Sequence, residues 1–237
     1  MKLYYNEDNL YRVYYGDNRE LVKMLPPKSI PLTFADPPYG VDHEYDGQFE
    51  DNWEYYVENT EWLLTEGIRV SKVMIVTPGG YTNVDYWREQ LKKKELNFFR
   101  VCWYKGAMPH RSKIGFAHWE EVLVIGEKIY AGIPDYIYAS PESDKQGHDC
   151  PKPEKLVMFF IDAYTKPGEL VFDPFLGGGT TMVAAKMLNR KGFGCELSEK
   201  YCAIAAKRVS QEMSVGNVEV KQLHQEEMFV DDTHNDT

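Results

Sequence analysis

Five times along this 237-residue chain, a short β-forming run gives way to turn residues and then to a stretch of helical spacing. The runs are 11–17, 30–35, 72–77, 170–172 and 192–196; the helical stretches after them are 18–25, 53–70, 83–95, 182–189 and 199–212. Strands that alternate with helices build a mostly parallel sheet with helices on both faces, so the expected class is α/β. Runs 98–105 and 120–126 have no helix between them and are expected to add an antiparallel strand pair. Residues 154–164 read as a strongly apolar helix. Residues 41–52 and 127–150 read as loops, and residues 1–212 as one domain followed by a polar tail, 213–237, expected to be disordered.

Composition narrows the function classes. Lys and Arg number 27 against 37 Asp and Glu, a formal charge of −10, which disfavours a protein that simply coats nucleic acid. Any nucleic-acid contact must use a local basic patch. Cys102, Cys150, Cys195 and Cys202 form no CxxC pair, which argues against a zinc ribbon or a disulfide scaffold. His43, His110, His118 and His148 lack metal-ligand spacing, so no metal is expected. No window approaches the roughly 18 apolar residues of a membrane helix, and the first residues lack the apolar core of a secretory leader. The expected setting is the cytoplasm of a prokaryotic or virus-infected cell, with no membrane partner.

Two turns carry the chemistry. In VFDPFLGGGTTMVAAKML, Gly177, Gly178 and Gly179 stand between a strand and a helix, where the backbone must turn tightly and let a ligand approach closely. Thr180 or Thr181 is expected to cap the helix, whose N-terminus offers free N–H groups. Glu196 ends the next strand 19 residues after Gly177, the place of an acidic residue that grips ribose hydroxyls, so an adenosine-containing ligand is expected. Met182 stands where a third glycine would complete the dinucleotide turn, which counts against a nicotinamide cofactor.

The second turn is Asp36-Pro37-Pro38-Tyr39, at the end of a buried strand. Asp36 and the Pro37 carbonyl can accept two hydrogens of an exocyclic amine, while Tyr39 offers a ring on which a planar heterocycle stacks. Either turn alone is also compatible with a merely structural bend.

Together the two turns resemble the amino-group DNA methyltransferases that use S-adenosylmethionine, with the DPPY tetrapeptide as catalytic motif and Phe-x-Gly-x-Gly as cofactor turn. The resemblance covers residues 11 to about 209 and includes Gly16-Asp17, strand 120–126 and Lys152-Pro153. The catalytic turn precedes the cofactor turn, which resembles the circularly permuted β group and implies a Rossmann-like methyltransferase fold. The resemblance implies that Asp173, Phe175, Gly177, Gly179, Thr180 and Thr181 belong to the cofactor turn. It also implies that Glu196 holds the ribose, Asp17 the adenine amino group, and Lys152 the cofactor's carboxylate. Asp36, Pro37, Pro38 and Tyr39 would hold a base rotated out of double-stranded DNA, most often adenine at N6 with this tetrapeptide, for a direct in-line methyl displacement. The alternatives are cytosine N4, an RNA or protein methyltransferase, and a non-catalytic cofactor-binding subunit.

Segment 91–113 reverses the sign of the chain, with Lys92, Lys93, Lys94, Arg100, Lys105, Arg111 and Lys113 against Glu95. Stretches 106–118 and 127–150 are expected to meet DNA, with Lys105, His110, Arg111 and Lys113 as contacts. β-group relatives are often dimers, so a homodimer is an open expectation. Gln225–Phe229 in the tail loosely resembles peptides that dock on sliding clamps.

Overall fold

The computed structural model describes residues 1–42, 50–106, 110–111, 116–126, 132–141 and 152–211. The strands are β1 (Lys2–Glu7), β2 (Tyr11–Tyr15), β3 (Ile30–Ala35), β4 (Ser71–Val76), β5 (Phe98–Tyr104), β6 (His110–Arg111), β7 (Phe116–Ala117), β8 (Trp119–Gly126), β9 (Tyr136–Tyr138), β10 (Leu170–Asp173) and β11 (Lys191–Glu196). The helices are α1 (Asn18–Lys23), α2 (Trp53–Trp62), α3 (Ile68–Val70), α4 (Tyr81–Lys93), α5 (Glu154–Tyr164), α6 (Thr180–Met187) and α7 (Glu199–Ser210).

Nine strands form one mixed sheet in the order β1-β2-β11-β10-β3-β4-β8-β5-β9. Its centre, β2, β11, β10, β3 and β4, is parallel throughout. The antiparallel part is larger than the single expected pair. Besides β5 with β8, β8 runs against β4 and β1 against β2.

Two expectations need correction. The N-terminal residues before Tyr11 carry no strand in the sequence reading, yet Lys2–Glu7 is an edge strand, largely exposed and without the continuous apolar run of a buried one. The stretch 127–150, read wholly as loop, contains β9, a three-residue strand parallel to β5. The rest of that stretch is outside the described residues except for residues 132–141.

Side-chain alternation along the strands assigns the helices to two faces. Leu32 and Phe34 of β3 point with Val73 and Ile75 of β4 to α5 and α6, where Leu156, Phe160 and Ala184 meet them. Ala35, Met74 and Val76 point the other way, to Tyr56, Leu63, Trp87 and Leu91 from α2 to α4. α7 joins the first face through Cys202, Ala205 and Val209, and α1 the second through Leu21 and Val22. The stretch 53–70, read as one helix, passes through a π-helical segment, Leu63–Gly67, between α2 and α3. Gly67 lets this segment lie against β4: a Cβ there would stand 3.2 Å from the Met74 sulfur.

The chain that leaves β3 enters α2 on one face, whereas the chain that leaves the neighbouring β10 enters α6 on the other. Diverging connections open a crevice beyond the carboxyl ends of these two parallel strands, where ligands bind in open α/β sheets. Among the described residues no helix is long and apolar enough to cross a membrane.

Candidate active site

Five adjacent strand ends supply the crevice. In spatial order they carry Asp17 after β2, Glu196 at the end of β11, Asp173 at the end of β10, Asp36 after β3 and Thr77 after β4. The two turns singled out in the sequence therefore leave the same edge of the sheet from neighbouring strands.

The glycine turn is held from three sides. Asp173 Oδ1 accepts from the Phe175 amide at 2.9 Å, Asn18 Nδ2 donates to the Pro174 carbonyl at 2.8 Å, and Gly177 N–H donates to Glu196 Oε2 at 2.8 Å. Gly177 and Gly179 have φ of 50° and 83°, a region that favours glycine. At Gly179 a Cβ would also stand 2.8 Å from the Ala205 Cβ of α7, so no larger residue fits. Here a sequence expectation fails. Gly179, not a threonine, is the residue before the helix, and no side chain caps it. Thr180 and Thr181 are buried inside the first turn instead, with the Thr180 hydroxyl accepting from Arg208 at 3.2 Å.

Burial pushes the Asp173 carboxyl up to about 7, with Asp36 and Glu196 adding like charge, against the hydrogen bonds from Thr181 and Phe175. The three carboxyl groups thus lie close enough at adjacent strand ends to act on one another. Glu196 also accepts from the Ser198 amide at 2.8 Å. Asp17 caps α1 by accepting from the Arg19 amide at 2.8 Å.

The DPPY turn is a closed network. Asp36 Oδ1 accepts from the Tyr39 hydroxyl at 2.7 Å and the Thr77 hydroxyl at 2.5 Å, while Oδ2 accepts from Lys152 Nζ at 2.7 Å. Burial, with Asp36 alongside, raises the Tyr39 hydroxyl well above the ordinary phenol range, so it remains a donor. Asn83 Nδ2 donates to the Tyr39 carbonyl at 2.9 Å, and Gly79 lies against the ring, where a Cβ would be 2.9 Å from Cδ1. Pro37 is buried and Pro38 half-buried. Beyond the turn, the Asp51 carboxylate accepts from the Gly40 amide at 2.7 Å.

Several of these residues carry no motif signal. Thr77, Asn83 and Asp51 reach the turn through strand order and loop closure. Lys152, expected at the cofactor's carboxylate, is paired with Asp36 and stands 5.1 Å from the Tyr39 ring centre. Lys105 is paired with Glu120 and lies 4.8 Å from the Trp103 ring centre. The backbone of His110 and Arg111 forms β6, paired with β7. Their side chains, all of Lys113, Cys150, most of stretches 106–118 and 127–150, and the tail 213–237 lie outside the described residues.

The chain has counterparts among known proteins. The type II methyltransferase M.HinfI of Haemophilus influenzae is 29% identical over 86% of this chain and 69% of its own length. M2.DpnII of Streptococcus pneumoniae is 27% identical over 89% and 93%. In fold, the chain is similar to the cytosine-N4-specific PvuII DNA methyltransferase, with a TM-score of 0.67 at 20% identity over 90% of this chain and 91% of that one. It is also similar to M1.HpyAVI in its complex with SAM, with a TM-score of 0.61 at 21% identity over 85% and 100%. Residues 85–207, more than half of the sequence and the part that holds the glycine turn and Glu196, match the N6/N4 DNA methylases, and the chain belongs to that family.

Proposed function

We propose that this protein transfers a methyl group from S-adenosylmethionine to the exocyclic amine of a base rotated out of double-stranded DNA, adenine N6 in preference to cytosine N4. The observation that carries the reading is the adjacency of β3 and β10, which brings the Asp36 carboxylate and the glycine turn to one crevice. S-Adenosylmethionine, when bound, supplies an electrophilic methyl carbon on a sulfonium. The crevice suits it: positive-φ glycines leave room for close approach, and the Glu196 carboxylate stands beside the glycine turn at the end of β11.

Asp36 and the Pro37 carbonyl accept the two amine hydrogens and turn the nitrogen lone pair outward; Tyr39 supports the ring of the base. The Tyr39 hydroxyl and Thr77 fix the Asp36 carboxylate in place before the base arrives, so the alignment needs little reorganisation. No covalent intermediate on the protein is needed. In this reading the order of the two turns reflects circular permutation of the fold, and Lys105, His110, Arg111 and Lys113 serve the DNA phosphates.

The test is labelled methyl transfer to DNA, RNA and protein, followed by mapping of the modified base in DNA from cells that make the protein. N6-methyladenine is expected. N4-methylcytosine replaces the base assignment, and label confined to RNA or protein overturns the substrate. Asp36→Ala is expected to abolish transfer with cofactor affinity nearly intact; retained turnover removes Asp36 from the catalytic role.

A further inference from the structure

Lys152 sits at the heart of the DPPY turn. Its ammonium donates to Asp36 Oδ2 at 2.7 Å and lies over the Tyr39 ring, 5.1 Å from its centre. These partners are the acceptor and the platform that the functional reading above assigns to the base. An ammonium and an exocyclic amine both present N–H donors, and a cation over a phenol face is held by the ring quadrupole. The pair is only 11% and 26% exposed on the lysine and aspartate side, so solvent and salt screen it less than a surface pair. The other Asp36 oxygen is already occupied by two hydroxyls, which leaves Oδ2 as the oxygen for an incoming donor.

Resting on that reading of the DPPY turn, we propose that Lys152 is a tethered occupant of the target-amine position. In the free protein it closes the pocket and neutralises Asp36, and a base amine has to displace it. The backbone beside it is anchored: Pro153 restricts φ, and Glu154, in the first turn of α5, accepts from Arg208 at 2.9 Å. Lys152 acts through Asp36 and is a positioning residue.

Lys152→Met keeps an unbranched side chain and removes the charge. On a duplex with 2-aminopurine next to the base that the wild-type protein methylates, the target base itself left intact, the variant is expected to show roughly three- to tenfold more extruded base without cofactor. Its KM for DNA should fall by a similar factor while kcat does not rise. A residue serving only the fold would raise KM and lower kcat. Unchanged or weaker extrusion overturns the proposal.

A second readout needs no DNA. Acetylation by an amine-reactive reagent, read by peptide mass spectrometry, should modify Lys152 far more slowly than the exposed Lys92. Asp36→Asn should raise the Lys152 rate severalfold and leave Lys92 unchanged. Equal rates at Lys152 and Lys92 in the wild-type protein overturn the proposal even if DNA is methylated. A protected Lys152 in a protein that never methylates DNA supports the Lys152–Asp36 latch and overturns the substrate reading instead.

Discussion

Gly177 N–H donates to Glu196 Oε2 at 2.8 Å, and the second carboxylate oxygen of Glu196 takes the amide of Ser198 at the same distance. One side chain thus fixes the glycine turn after β10 and the entry to α7 after β11. Glu196→Gln can satisfy only one of these amides, because its NH2 cannot accept. Affinity for S-adenosylmethionine is expected to fall roughly ten- to a hundredfold, the worth of a charged hydrogen bond of about 1.5–3 kcal/mol. Isothermal calorimetry checks this; unchanged affinity takes Glu196 out of the cofactor site.

Asp51 is 2% exposed and accepts from the amides of Gly40 and Val41, while its own carbonyl accepts from Asp42. Gly40, with φ of 66°, passes so close to α2 that a Cβ would stand 3.0 Å from the Tyr56 Cβ. The chain leaving the DPPY turn is therefore clamped at one point. Asp51→Ala leaves the half-buried Gly40 amide unpaired and should cost about 1–3 kcal/mol in urea denaturation. Turnover should fall with little change in cofactor affinity, and Asp51→Asn, which retains an acceptor, should recover most of both losses.

Asp173 makes folding stability depend on pH with a definite sign. Its carboxyl is pushed up to about 7 in the fold, chiefly by burial, against roughly 3.9 in an unfolded chain. Between these values the folded protein keeps a proton that the unfolded chain has lost. Stability from this group is fully present below about pH 4 and is lost as the pH rises through about 7. Asp173→Asn cannot ionise, so the variant should gain on the wild type across that window, by on the order of 2–4 kcal/mol. Denaturant titrations of both proteins at pH 4.5 and pH 8, without cofactor, give the comparison; a difference independent of pH refutes the shifted carboxyl.

How much of this was legible in the sequence depends on which physical signal each element carries. β3, β4, β10 and β11 are short runs that end in turn chemistry, and those patterns survive without tertiary knowledge. β1 has no such pattern because an edge strand buries little, and β9 is too short to show a period. Asp36 and the glycine turn are legible because their residue types are scarce in that arrangement. Their partners are not: Lys152 lies 116 residues from Asp36, and Thr77 lies 41 residues away, brought near only because β4 is the neighbour of β3. The mistaken threonine cap has the same origin. The motif shows that a helix starts after the glycines, but the left-handed φ of Gly179 decides which residue precedes it.

Arg208 joins three parts of the site that no local pattern connects. From α7, one guanidinium nitrogen donates to the Gly178 carbonyl at 2.7 Å and to Thr180 Oγ1 at 3.2 Å, and the other donates to Glu154 Oε1 at 2.9 Å. It thereby ties the glycine turn to the start of α5, two residues beyond Lys152. The side chain is 12% exposed, so these are hydrogen bonds of a charged group shielded from water rather than a surface ion pair. Lysine carries the charge but not the fork, and it cannot serve both ends at once. Arg208→Lys is therefore expected to cost about 1–3 kcal/mol in stability, nearly as much as Arg208→Leu, and to weaken S-adenosylmethionine binding in parallel. If Arg208→Lys matches the wild type in both denaturation and calorimetry, charge alone suffices and the bidentate tie has no role in shaping the turn.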